Sequence, residues 1–208
     1  MADDRINAAT DAAGLAALIS RASEQTGGKP RGPAPVEKWN PPFCGDLDME
    51  IRADGTWFYM GTPIGRAPLV RLFSTVLRKD EDGKTYLVTP VEKVGIRVAD
   101  APFIAVEMSV SERDGAPLLT FRTNVGDVVE VGRHHPLRFT TGAGNDDEFK
   151  PYLLVRGRLE ALVSRAVMYD MVELGEVIEI DGRPMFSVRS GTEVFPIMPA
   201  DELEALAR

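Results

Sequence analysis

The chain has 208 residues, 44% of them hydrophobic and 27% charged, enough to bury the core of one compact domain or two small ones and to exclude disorder as the default. A formal charge of -8 and a pI near 4.9 count against generic nucleic-acid or anionic-membrane partners, which need a basic field. The single cysteine, Cys44, excludes an intramolecular disulfide framework, and no apolar run approaches the roughly 20 residues that span a bilayer. Asp3 and Asp4 stand where a signal peptide carries positive charge, so a cytoplasmic location is expected.

In chain order, Leu15, Leu18, Ile19 and Ala22 predict an amphipathic helix over about 11–25, with Gly27-Gly28 as its stop signal. Pro30, Pro33, Pro35, Pro41 and Pro42 then mark a linker, held against the body by Trp39 and Phe43, whose apolar surface has to be buried. From Leu47 the pattern changes to strands. Four Asp-Gly dipeptides, Asp54-Gly55, Asp82-Gly83, Asp114-Gly115 and Asp181-Gly182, predict hairpin turns in which both residues accept positive φ. Met49 and Ile51 alternate before the first turn, Trp57 and Tyr59 after it; Phe103 to Val110 and Leu118 to Phe121 flank the third, and Val128 to Val131 adds a strand. Two helices are expected within this body. Leu69, Leu72 and Phe73 make one stripe, with Pro68 in its first turn; Leu159, Leu162, Val163, Ala166 and Val167 make the other, running to about Met171. A strand from Leu174 to Ile180 follows.

One order of elements occurs twice: Gly65-Arg66, a helix, Asp82-Gly83, Tyr86 to Val88 and Val94 to Val98, then Gly157-Arg158, a helix, Asp181-Gly182, Met185-Phe186 and Val194 to Ile197. The echo predicts a duplicated supersecondary unit and a ligand-binding seam between its copies. The expected fold is α+β, with mainly antiparallel sheets built from Asp-Gly hairpins and one helix packed on each of two duplicated units. The expected division is an N-terminal helix over 1–28, a Pro/Gly-rich linker packed on the body over 29–45, a first repeat unit over 46–99 and a second unit over 100–208.

Catalytic and cofactor motifs are mostly excluded. Gly83-Lys84-Thr85 ends like a P-loop, but Arg78 occupies the first glycine position; as a calcium loop the same stretch has Arg78 first and Thr89 twelfth. No nucleophile elbow, His-Glu-x-x-His or dinucleotide fingerprint is present, so no cofactor is expected. His134 and His135, the two histidines, point to opposite faces of an extended segment and read as a polar strand end before Pro136; no metal site is expected. Cys44 reads as a small buried hydrophobe, and Asn145-Asp146-Asp147-Glu148, after Gly142 and Gly144, as a solvated loop.

The Gly-Arg pairs are the placed candidates. A helix N-terminus offers unpaired N–H groups, a glycine lets an anion approach the backbone, and arginine binds it in two-pronged fashion, so Gly65, Arg66, Gly157 and Arg158 form two expected anion sites. Arg71, Arg156 and Arg165 add local positive charge.

The run from Cys44 to Met108, with Asp54-Gly-Thr-Trp57-Phe-Tyr59, Gly61-Thr-Pro63-Ile64-x-Arg66, Leu69-Val70-x-Leu72-Phe73 and Tyr86-Leu-Val-Thr-Pro-Val-Glu92, resembles the bacterial domain of unknown function 1285 family. The resemblance continues through His135-Pro136-Leu137 and the second expected helix, over nearly all the chain after the linker. It implies a two-part fold with a repeated motif, a pleckstrin-homology-like C-terminal part, and a nucleotide-based ligand in signalling. It implies no reaction.

The expected function is therefore binding of a small anionic, nucleotide-like ligand at the interface of the repeated units. Arg66 and Arg158 would hold phosphate, and Trp57 or Tyr59 would offer an aromatic face. An enzyme acting on a phosphorylated small molecule, with Glu92 or His135 as acid or base, is one alternative, and a protein-interaction adaptor using an exposed strand edge is another. The oligomeric state is left open.

Overall fold

A computed structural model describes residues 6, 9–24, 33–141 and 149–206; the Gly27-Gly28 stop signal, Pro30 and the acidic run from Asn145 to Glu148 lie outside the described residues. The chain forms two compact units, Met1–Pro102 with Gly157–Leu159, and Phe103–Arg156 with Glu160–Arg208.

In the first unit, α1 (Ala12–Glu24) starts where Asp11 Oδ1 accepts the Gly14 N–H at 2.7 Å, a side-chain cap that satisfies one orphan donor. Its apolar stripe of Leu15, Ile19 and Ala22 is buried, and the helix packs on α2 (Ala67–Thr75), whose Phe73 is fully buried. Between the helices the linker is tied down: Ala34 N–H donates to Thr75 O at 3.0 Å, and Val36 is buried in a one-turn 3-10 segment, Val36–Lys38. The linker is shorter than expected, because β1 (Phe43–Ile51) already begins at Phe43. Phe43 itself is 55% exposed, with its ring edge-on to Tyr86.

The first sheet contains β1, β2 (Trp57–Tyr59), β3 (Thr62–Pro63), β4 (Leu77–Lys79), β5 (Thr85–Val88) and β6 (Lys93–Val98), in the order β3-β2-β1-β6-β5-β4. Two three-stranded antiparallel meanders are joined by a central parallel pair, β1 with β6. The second unit repeats this topology. Its strands β7 (Phe103–Arg113), β8 (Ala116–Thr123), β9 (Val128–Glu130), β10 (Leu137–Thr141), β11 (Phe149–Arg156) and β12 (Leu159–Val163) have the order β10-β11-β12-β7-β8-β9, and β7 and β12 are the parallel pair. After the repeat come α3 (Arg165–Val172), a three-stranded antiparallel sheet of β13 (Glu176–Ile180), β14 (Arg183–Ser190) and β15 (Glu193–Pro199), and α4 (Ala200–Leu206).

The duplication is present, but between other segments than the sequence suggested. β4 opposes β5 with Leu77 on Leu87 and Arg78 on Tyr86; β10 opposes β11 with Leu137 on Leu153 and Arg138 on Tyr152. The same side chains recur in the same register, Lys84-x-Tyr86-Leu87 matching Lys150-x-Tyr152-Leu153. Gly65-Arg66, between β3 and β4, then corresponds to Gly132-Arg133, between β9 and β10. Gly157-Arg158 instead lies between β11 and β12, where the first unit has the Thr89 to Glu92 turn.

The expected helix at Leu159 is not there. Leu159, Ala161 and Val163 are buried and alternate with half-exposed Glu160 and Leu162, the period of a strand. The helix starts only after Ser164, and the strand after it starts at Glu176 rather than Leu174. Asp114 and Gly115 have φ of 54° and 78°, and Asp181 and Gly182 of 53° and 76°, in two-residue turns. At the other two Asp-Gly sites only the glycine is left-handed; Asp54 and Asp82 instead accept the N–H groups of Thr56 and Lys84 at 2.9 Å.

Candidate functional site

The structure scatters the eight expected site residues. Arg66 caps α2 with its side chain exposed, while its carbonyl takes the N–H groups of Leu69 and Val70 at 2.9 and 3.3 Å; Pro68 has no N–H to offer. Gly65 is exposed, and a Cβ there would meet nothing within 4 Å. Trp57 and Tyr59 point inward rather than offering a face to a ligand. Trp57 is 1% exposed and stacks on Phe73 at 6.3 Å, and Tyr59 donates its hydroxyl to Ala9 O at 2.7 Å. Burial, reinforced by Asp11 and Asp48, raises the Tyr59 hydroxyl above its ordinary value.

Glu92 is buried in the turn between β5 and β6, where its Oε1 accepts the Ile6 N–H at 2.8 Å and its backbone bonds back to Thr89. Its placement ties Ile6 to the sheet. Glu92→Ala leaves that buried N–H without an acceptor and is expected to cost about 1–3 kcal/mol; denaturant unfolding measures the loss, and faster hydrogen exchange at Ile6 locates it. His135 closes a bridge with Gly132 and sets Nδ1 at 3.0 Å from Leu154 O.

Gly157 and Arg158 form the two-residue turn after β11, with Gly157 at φ +53°, and not a helix entrance. This removes the helix dipole and free N–H groups from the second expected anion site. Arg158 nevertheless reaches a cavity. It lines an open polar hollow of about 500 Å³ in the first unit together with Glu37, Lys38, Trp39, Asn40, Arg78 and Asp80 to Asp82.

The floor of that hollow is Arg78, the residue that breaks both the P-loop and the calcium-loop patterns. Its Nη1 donates to Val36 O and Trp39 O at 2.8 and 2.7 Å, and its Nε and Nη2 to the two oxygens of Asp80 at 2.6 and 3.3 Å. Lys93 adds a bond to Asp80 at 2.8 Å and lies over the Tyr86 ring. Burial pushes the Asp80 carboxyl up, but the hydrogen bonds and charges of Arg78 and Lys93 outweigh it and hold the group below its ordinary 3.8. Tyr86 donates to Asp82 at 2.5 Å, which lowers the carboxyl and raises the tyrosine to about 12.

Asp80 and Asp82 are thus committed internally. At the mouth remain Lys38 and Arg158 against Glu37 and Glu81. Arg158 bonds Glu81 at 2.7 Å, but the two side chains are 51% and 87% exposed, so the pair is weak and open to exchange. The half-buried Trp39 indole flanks them. Such a site can take an anionic group on its cations, hydroxyl or amine donors on its carboxylates, and a ring against the indole. No group of three or more His, Cys, Asp or Glu among the described residues is placed to hold a metal ion, and no helix among them is long and apolar enough to cross a membrane.

No curated protein matches the chain. A crystal structure of a DUF1285 family protein from Silicibacter pomeroyi DSS-3 is similar to it with a TM-score of 0.81 and 46% identity, over 94% of this chain and 99% of that one. A second, from Shewanella baltica OS155, has a TM-score of 0.48 and 28% identity over 61% of this chain and 91% of that one. The model of the N-terminal domain of DUF1285, a domain of unknown function, matches residues 34–101, and that of the C-terminal domain matches 102–197. The chain belongs to the DUF1285 family.

Proposed function

We propose that the chain is a small-molecule binding protein, that the hollow floored by Arg78 is its site, and that its ligand joins an anionic group to a ring carrying hydroxyl or amine donors, as a nucleotide does. The observation that carries this reading is Arg158: of the eight residues singled out from sequence, it alone lines this hollow, as an exposed cation in an exchangeable pair beside a half-buried indole. Lys38 and Arg158 take the anion, displacing Glu81. Trp39 stacks on the ring, and Glu37 and Glu81 accept from its donors. Arg66, at the N-cap of α2, has no part in the site.

A thermal-shift panel of nucleoside mono-, di- and triphosphates, pyrophosphate and inorganic phosphate tests the reading. A ligand at 100 times its dissociation constant adds about 2.7 kcal/mol of stability. The upward shift should be lost in Arg158→Ala and Trp39→Ala and kept in Arg66→Ala. A panel with no shift, or a shift that survives Arg158→Ala and disappears in Arg66→Ala, overturns the assignment; turnover of a bound compound would mark an enzyme instead.

A further inference from the structure

The longest strand of the second unit has half of one edge without a strand partner, although α3 packs against the strand. β7 has eleven residues, but parallel pairing with β12 engages only Phe103 to Ala105. From Val106 to Arg113 the strand is paired on one side alone, by β8. In the first unit the corresponding β1 keeps its parallel partner β6 as far as Ile51. Val106 and Val110 are 41% and 48% exposed, and the stretch holds no proline; its charges are Glu107, Glu112 and Arg113, and its bulge lies at the start, between Ala105 and Glu107.

The backbone groups on this edge can be identified. Pro117 has no N–H and lies opposite Glu112. Leu119, opposite Val110, gives its N–H to Ser190 Oγ at 3.0 Å and its carbonyl to the Val131 N–H at 2.8 Å, both away from β7. These are therefore the non-hydrogen-bonded positions of the β7–β8 ladder, and by the period of two the N–H and C=O of Met108, Val110 and Glu112 point to the open side. Among the described residues they meet no backbone partner there.

We infer that this edge pairs with the same edge of a second copy of the chain, antiparallel about a two-fold axis at Val110. In that register Val110 faces Val110 and Met108 faces Glu112, so each facing pair exchanges two backbone hydrogen bonds between outward groups. Ser109 faces Ser111, and Glu107 faces Arg113. The opposite charges meet twice, once on each side of the axis, and continue the exposed rows Arg122–Glu107 and Arg113–Glu130 into one alternating ladder. Other registers lose this agreement. Centring on Glu112 sets two carboxylates face to face; centring on Met108 leaves Arg113 without a facing acid; centring on Ser109 or Ser111 brings together backbone groups already bonded to β8. The interface is isologous and closes at two copies.

Sedimentation velocity from micromolar to millimolar concentration tests it on the full chain. A monomer–dimer equilibrium is expected. Val110→Lys, which sets like charges opposite each other at an exposed position, should raise the dissociation constant about tenfold or more while the thermal melt of the monomer stays in place. Facing residues in a hydrogen-bonded pair lie about 5.5 Å apart at Cα, within disulfide range. In a Cys44→Ser background, Val110→Cys should therefore form a covalent dimer on mild oxidation, and Ser109→Cys, which faces Ser111, should not. A chain that stays monomeric throughout, a dimer unaffected by Val110→Lys, or crosslinking by Ser109→Cys in place of Val110→Cys overturns the inference.

Discussion

Replacing Arg78 with alanine is expected to cost about 1–3 kcal/mol for each buried acceptor left without its donor. Arg78 is 8% exposed, and its loss would strand the carbonyls of Val36 and Trp39, while Lys93 still holds Asp80. Arg78→Lys should recover little, since one ammonium cannot reproduce a planar fork reaching two carbonyls and both carboxylate oxygens. Denaturant unfolding measures both variants. The pH dependence has a definite sign. The folded Asp80 carboxyl is held below its ordinary 3.8, so its contribution is complete above that value and is lost as pH falls through the lowered one. The acid limb of the stability curve should therefore flatten in Asp80→Asn.

The second large effect is expected at Trp57. Its ring is 1% exposed and stacked on Phe73, so Trp57→Ala should cost about 3–5 kcal/mol through lost burial and the cavity left behind. Trp57→Phe should cost clearly less. The indole Nε1 is buried without a hydrogen-bond partner among the described residues, and phenylalanine removes that unsatisfied donor along with some volume. Comparing the two unfolding curves checks the order. Neither variant, where it folds, should change the ligand response at Trp39.

Local chemistry was legible in the sequence where one period dominated. Leu15, Ile19 and Ala22 defined α1, and Pro68 with Leu69, Leu72 and Phe73 defined α2. Leu159, Leu162 and Val163 satisfy helical spacing, but Leu159, Ala161 and Val163 equally satisfy a strand, and five residues are too few to separate them. Ser164, a residue type favoured just before a helix, was the available signal for the true start. The C-terminal helix α4 is not among the expected elements, although Asp201 and Glu202 in its first turn suit the positive end of a helix.

The duplication is legible from the order and type of its elements, but the pair equivalent to Gly65-Arg66 is Gly132-Arg133 and not Gly157-Arg158. The better match was Ile64-Gly65-Arg66 with Val131-Gly132-Arg133, followed by Leu77-Arg78 with Leu137-Arg138 and Tyr86-Leu87 with Tyr152-Leu153. α2 lies between β3 and β4, whereas no helix separates β9 from β10, and that difference hid the frame. The hollow was not legible at all: it depends on Arg78 reaching back to Val36 and Trp39, a long-range contact without a local signature. Nor could alternation alone tell which face of β2 is buried, so Trp57 and Tyr59 read as a ligand platform when they are core.

The binding assignment is tested most directly by the two indole N–H signals of the chain, one from Trp39 and one from Trp57, in a nitrogen–proton correlation spectrum. Titration with a mixture of nucleoside mono-, di- and triphosphates to millimolar concentration should move the Trp39 signal progressively and leave the Trp57 signal in place. A Trp39 signal that stays fixed throughout the titration would contradict the site.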